Sequence, residues 1–395
     1  MACNLQLRMR FAGILTLLVA ASAASTAQSG PLQQQIDQQE QKLAAARTAQ
    51  DARAEAVELN TLANLYRQIG KPQKALDDCN QALALEQTSI VQTGTAQAGS
   101  VQAGVALTRN LMGRVYTDLG DEQQALDLFN QALPIWLALG SRLGQATTLN
   151  GMGRAYNDLG QREKALDLLN QALPLWREVG SRAGEASTLD NLGKTYTDMG
   201  HAEQALPYFN QALPIWREVG ERGGEALSLT NLGRAYADLG RKQDALESFK
   251  QALAIWRDLG NRQGEALTLN SIGRLYRDLG QQPTALDYYN QALPIWREVD
   301  NRNGEALALN DIGSAYAYMG QTHKALDYFS QALAIWRETG NRRGEATTLT
   351  DIGWSDSDLG QAQKALDTDT QALSIWREVE DRRGQALALM MMGRA

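Results

Sequence analysis

Histidine and cysteine are almost missing from this chain of 395 residues, with two of each. Cys3 falls in a segment that reads as removed, which leaves Cys79 without a partner. No intramolecular disulfide is therefore expected, and packing must hold the protein together. His201 and His323 have no Cys or His at metal-ligand spacing, so both read as solvated surface residues and no metal site is expected. A basic excess is also missing. The net charge is -7, which argues against nucleic acid as a partner, because phosphate binding needs a cationic stripe. Alternating β-branched runs are absent, which excludes strands and a propeller. Catalytic signatures are missing too. Gly193-Lys194-Thr195 looks like the end of a phosphate loop, but Thr188 stands where that motif needs its first glycine. No Gly-x-Ser-x-Gly elbow occurs. The sequence predicts no catalytic residue, no cofactor and no enzyme activity.

Long apolar runs are confined to the start. Arg8 and Arg10 precede the run from Phe11 to Ala21, and small residues continue to Ala27. Residues 1–27 thus read as a secretory signal, and the chain as periplasmic or extracellular. The run is shorter than the roughly 20 residues a spanning helix needs. No integral span is expected after its removal; left uncut, it would be an N-terminal membrane anchor.

What is abundant is repetition. Gly120, Gly160, Gly200, Gly240, Gly280, Gly320 and Gly360 are evenly spaced, and so are Trp136, Trp176, Trp216, Trp256, Trp296, Trp336 and Trp376. Tyr116, Tyr156, Tyr196, Tyr236, Tyr276 and Tyr316 keep the same interval of forty. A period of this size signals an array in which each unit buries its apolar face only against its neighbours.

Each unit reads as two helices. In residues 184–223 the first covers about Glu185 to Met199, with Leu189, Leu192 and Tyr196 at helical spacing, and Gly200 ends it. The second runs from about Ala202 to Val219, with Ala205, Phe209, Ala212 and Trp216 on one face. The tryptophans follow that face and read as core. Gly193 recurs at Gly113, Gly153, Gly233, Gly273, Gly313, Gly353 and Gly393 at a cost of about 1 kcal/mol relative to alanine, which predicts a close approach to Ala205 and its equivalents. Pro134, Pro174, Pro214 and Pro294 predict a kinked but unbroken second helix. Arg182 and its equivalents, each three residues before a glutamate such as Glu185, read as structural pairs at helix starts.

Leu192, Gly193, Tyr196, Ala205, Phe209 and Ala212 match the tetratricopeptide signature, and the chain resembles that family over about residues 53–395. The forty-residue unit is similar to the long repeats of kinesin light chains and spindle-orientation adaptors. The phrase QALPIWREVG, followed by GEA, is most similar to bacterial arrays that often precede a caspase-like protease domain. The resemblance implies an all-α, right-handed superhelical solenoid of antiparallel helix pairs whose first helices line a concave groove. It also implies a binding scaffold for a protein or peptide.

On this reading residues 28–52 form a capping helix and 53–383 eight units, with 384–395 starting a ninth. Unit one carries ten extra residues near 88–103, a Gln/Ser/Thr/Gly/Ala stretch that reads as a flexible loop. Unit eight has Asp356 and Asp369 where rings recur, which predicts a loose unit, because an unpaired buried carboxylate is costly. Residues 384–395 carry Leu387, Leu389 and three methionines, which suggests a shortened relative of a longer protein and self-association through this segment.

The inner face of the first helices carries the candidate groove. Asn110, Asn150, Asp190, Asn270 and Asn310 form one column, and Arg114, Arg154, Lys194, Arg234 and Arg274 a second. Asp118, Asp158, Asp198, Asp238 and Asp278 form a third, with Asn157 beside it. Asparagine pairs with both polar groups of an extended backbone, and arginine forks onto carboxylate. The columns therefore describe a groove for an extended, acidic peptide. The competing account is a ladder within each helix, since each Arg precedes its Asp by four residues. Two other expectations are a regulatory array for a protease-like partner encoded elsewhere or lost, and a self-associating solenoid.

Overall fold

A computed structural model describes residues 31–93 and 98–394. Residues 1–27, which read as a signal from the sequence, lie outside the described residues, as do positions 94–97 of the insertion. Helix α1 (Pro31–Thr48) precedes eight antiparallel pairs. These are α2 (Ala52–Gln68) with α3 (Pro72–Thr93), α4 (Ala98–Leu119) with α5 (Glu122–Ala138), and α6 (Arg142–Asp158) with α7 (Arg162–Glu178). Next come α8 (Arg182–Asp198) with α9 (Ala202–Val219), α10 (Arg222–Asp238) with α11 (Lys242–Asp258), and α12 (Arg262–Asp278) with α13 (Gln282–Glu298). The last pairs are α14 (Arg302–Tyr318) with α15 (Thr322–Thr339) and α16 (Arg342–Asp358) with α17 (Ala362–Glu378). Helix α18 (Arg382–Met392) closes the array, and no strand occurs among the described residues. The chain is an all-α repeat solenoid.

Local chemistry sets the helix ends. Gly200 and Gly220 take the left-handed conformation, with φ of 82° and 74°, that ends a helix. The starts of the first helices are capped by short polar side chains. Ser181, Asn261, Asn301 and Asn341 each accept a hydrogen bond from the backbone N–H three residues on. Arg182 and Glu185 lie just inside that cap and pair at 2.5 Å. The helices run unbroken through Pro134, Pro174, Pro214 and Pro294.

The glycine inside these first helices has a different partner from the one expected. A Cβ on Gly193 or Gly233 would lie 2.7 Å from the ring of Phe209 or Phe249 in the same unit. The close approach is thus of backbone to aromatic ring, with the Ala325 carbonyl a secondary neighbour at 3.2 Å from such a Cβ on Gly313. A second glycine column does the same for tryptophan. Gly144, Gly184, Gly264, Gly304, Gly344 and Gly384 lie directly against the indoles of Trp136, Trp176, Trp256, Trp296, Trp336 and Trp376. Each indole therefore seats on the first helix of the next unit and staples consecutive units. These six tryptophans are buried, and Trp216 is partly so.

Two expectations need revision. The insertion is not a loop over 88–103: α3 and α4 are each 22 residues long, so the extra residues lengthen two helices on either side of 94–97. Unit eight is fully helical, and of its two buried carboxylates Asp356 has a partner while Asp369 Oδ1 has none. Lys364 Nζ lies 2.8 Å from Asp356 Oδ1. The equivalent lysines Lys74, Lys164 and Lys324 lie over the rings of Tyr66, Tyr156 and Tyr316. A cation over a ring has been exchanged for an ion pair, which is why Asp356 is tolerated at that buried position.

The first helices of successive units contact one another, whereas successive second helices do not make comparable contacts. The first helices therefore occupy the shorter, inner arc. The superhelix also closes on itself. Asn261 Nδ2 donates to the Gln68 carbonyl at 2.6 Å, Asn303 Nδ2 to Leu119 at 3.0 Å, and Arg343 Nη2 to Leu159 at 3.3 Å. Each bond joins the end of one first helix to the start of another, a full turn later. A cavity of about 530 Å³ lies at this seam, lined in part by Gly120, Glu122, Gln263 and Asn303. Burial pushes the Glu122 carboxyl up to about 7.

Candidate functional site: the inner face of the first helices

Helical spacing places Leu227, Asn231, Arg234 and Asp238 of α10 in one stripe. The other first helices repeat it, so the inner face carries lanes that cross the units. The first lane is mixed: Leu107, Leu227 and Leu267 are 51%, 42% and 36% exposed, Leu307 is half-buried, and Thr147, Ser187 and Thr347 hold the same register in the other units. The charged lanes follow it.

The charged lanes form a ladder between units. Arg154 Nη2 lies 2.6 Å from Asp118, Lys194 Nζ 2.6 Å from Asp158 and Arg234 Nη2 3.1 Å from Asp198. Each pair joins residues 36 apart. The pairing within one helix is secondary, at 3.9 Å for Arg154–Asp158 and 3.0 Å for Lys194–Asp198. Burial alone would raise Asp198, but Lys194 and Arg234 overcome it and hold the carboxylate well below its ordinary value. Asp118 is likewise lowered, by Arg154 and Arg67 against burial. Further on the register changes. Arg274 Nε turns to Asp311, 3.0 Å away, and Arg277 joins it at 3.5 Å.

The asparagine column lies deeper than the groove reading requires. Asn110, Asp190, Asn270 and Asn310 are buried, as is Asn157. Asn110 Oδ1 accepts from Thr148 at 2.9 Å, and Asn157 Nδ2 donates to Asp198 at 2.7 Å. Asn150, partly buried, donates to Ser187 and accepts from Thr188 and Asn191. Asn270 accepts from Trp296 Nε1 at 3.2 Å and donates to Asp311 at 3.1 Å. Asn310 accepts from Thr348 and donates to Asp351. Asp190 accepts from Trp216 Nε1 at 2.6 Å, while burial pushes its carboxyl up to about 7. These side chains are bonded to neighbouring helices.

The structure thus brings together Arg114, Arg154, Lys194, Arg234 and Arg274 at the partly open inner surface and sets the asparagines behind them. The leucines of the first lane and the inter-unit register were missed from sequence. The signal was present in both cases. Leu227, Leu267 and Leu307 recur at an interval of forty, and Arg154, Lys194 and Arg234 each stand 36 residues after an Asp.

A family model described as tetratricopeptide repeat matches residues 102–178, 144–218, 184–258, 225–298 and 304–378. The chain belongs to the tetratricopeptide-repeat family. No curated protein sequence matches it. Solved structures share the fold. A Rap protein complexed with competence and sporulation factor is 17% identical, with a TM-score of 0.61 over 86% of this chain and 96% of its own. A plasmid Rap conjugation gene regulator in complex with a Phr peptide is 15% identical, with a TM-score of 0.60 over 89% and 97%. Kinesin light chain TPR-like repeats from Podosopora anserina are 21% identical over 49% of this chain and 95% of theirs, with a TM-score of 0.39.

Proposed function

We propose that the protein is a non-catalytic scaffold that holds an extended peptide segment of a partner protein on the inner face of its first helices. The observation that carries this reading is the exposed leucines of the first lane beside a lane of partly exposed cations. Isolated exposed leucines are ordinary, but Leu227, Leu267 and the half-buried Leu307, at one register of three successive first helices, offer adjacent apolar seats. The cations would select acidic residues in the ligand, as bidentate forks do. Of the two Rap proteins of like fold, the plasmid conjugation gene regulator was solved with a Phr peptide, which agrees with a peptide as ligand class. Export through the N-terminal segment would put this binding outside the cytoplasm; fractionation of the tagged chain tests that.

Selection from a displayed random-peptide library tests the groove. Selected peptides should bind the wild type and lose about tenfold or more in affinity to Leu227→Glu with Leu267→Glu. Both positions are exposed and outside the ladder, so helicity by circular dichroism should not change. Equal affinity for the variant would reject the groove.

A second reading has its own observation. Leu389 and Met390 of α18 are 52% and 59% exposed. Self-association through 384–395 predicts a concentration-dependent mass, which light scattering before and after trimming that segment would measure.

A further inference from the structure

The ladder lacks its first carboxylate. Asp158 and Asp198 are the last residues of α6 and α8, and each receives the cation of the following unit. The last residue of α2 is Gln68, so the place that should receive Arg114 is neutral. Arg67 does not fill it; it reaches forward to Asp118, with Nη1 3.0 Å from Oδ2. Arg154 holds the other oxygen of the same carboxylate at 2.6 Å. Two guanidinium groups therefore hold one carboxylate, while Arg114, one helical turn before Asp118 on the same helix, makes no ion pair among the described residues.

The surroundings reinforce the imbalance. Arg67 foremost, then burial, pulls the proton affinity of Arg114 down to about 9. A guanidinium nevertheless keeps its proton, so what remains is unneutralised charge. Such a charge in a partly desolvated place is costly without a partner. Arg67 Nε is a buried donor there with no acceptor. Arg114 itself is only partly buried, so the site opens to the inner face.

We propose that Arg114, with Arg67 and Arg154, forms an oxyanion site on the inner face at the joint of units one and two. Its ligand chemistry is a carboxylate, as Asp118 already shows for two of the three arginines. An acidic side chain of a groove-bound peptide supplies that group, and free phosphate offers equivalent oxygens. The peptide source rests on the groove reading above; the site itself does not.

Thermal unfolding tests it, in chloride, in phosphate at the same ionic strength, and with hexaglutamate. The variants are Arg114→Gln and Gln68→Glu, the second supplying the missing carboxylate in register. Wild type should gain about 2 °C or more with phosphate and with hexaglutamate. Gln68→Glu should melt higher than wild type in chloride and gain nothing further from either anion. Arg114→Gln should also lose both responses; should it fail to fold, Gln68→Glu alone carries the test. A gain with phosphate but none with hexaglutamate would keep the site, assign it a free ion and count against an acidic groove peptide. No gain with either anion, or a gain that survives in Gln68→Glu, would overturn the site.

Discussion

In the middle of the array Lys194 lies 2.6 Å from Asp158 and Arg234 3.1 Å from Asp198. At the joint of units seven and eight the same register holds Tyr318 and Trp354, whose rings meet edge-on with centroids 5.4 Å apart. An ion pair has been replaced by an aromatic pair without a break in the helices. The second helices make the same point. Phe249 lies against Gly233, and Asp369 takes that place against Gly353. The frame is set by the glycines and indoles that recur in both regions. What fills the space between is open to substitution in chemistry, provided its volume and partners are met.

The largest effect should come from the shared frame. Trp296→Ala removes the ring seated on Gly304 and should cost about 3–5 kcal/mol, read as a lower denaturant midpoint. Local and global unfolding need not coincide in such an array, so hydrogen exchange of α13 and α14 should report the loss first. Gly233→Val comes next. Its Cβ would sit 2.7 Å from the Phe249 ring, and overpacking of this kind costs about 1–3 kcal/mol.

Unit eight sharpens the comparison through pH. Burial, and then Asp356, pushes the Asp369 carboxyl from 3.8 up to about 6. The folded state therefore binds the proton more tightly than the unfolded chain. Stability contributed here is present below pH 4, falls as pH rises towards 6, and is flat above that. Exchange in α16 and α17 should slow when pH-corrected rates are compared at pH 4.5 and 7. Asp369→Phe should restore the ring of the middle units and stabilise unit eight at pH 7 by about 1–3 kcal/mol. Its advantage should shrink at pH 4.5, where Asp369 is already neutral. The smallest effect concerns the aromatic joint. Tyr318→Asp with Trp354→Arg rebuilds the ion pair of the middle units, and the pair should be worth no more than about 1 kcal/mol in a double-mutant cycle.

The repeat frame was legible because its carriers are glycine, tryptophan and tyrosine at one interval. The capping serine and asparagine residues were hidden by the Arg–Glu column, whose charges are more conspicuous than a single side-chain oxygen. The insertion misled because Gln, Ala, Ser and Thr suit a loop as well as a helix, and here extension of two existing helices absorbs them. Unit eight misled for a different reason. Asp356 was read as unpaired, but the lysine eight residues on was already present in other units, over a tyrosine. The inner face was half legible: its charged columns were visible, but the pairing between units depends on how one helix lies beside the next.

The claim that the inner face is the binding surface is tested most directly by photo-crosslinking to a library-selected peptide. A benzoylphenylalanine would replace, one at a time, Leu227 or Leu267 on the inner face, Leu137 on a second helix, and Met390 on α18. All four positions are exposed, so none should disturb the core. Crosslinks from 227 and 267, with none from 137 or 390, are the result this account predicts. Crosslinks confined to 137 or 390 would contradict it and move the binding surface to the second helices or the terminal helix.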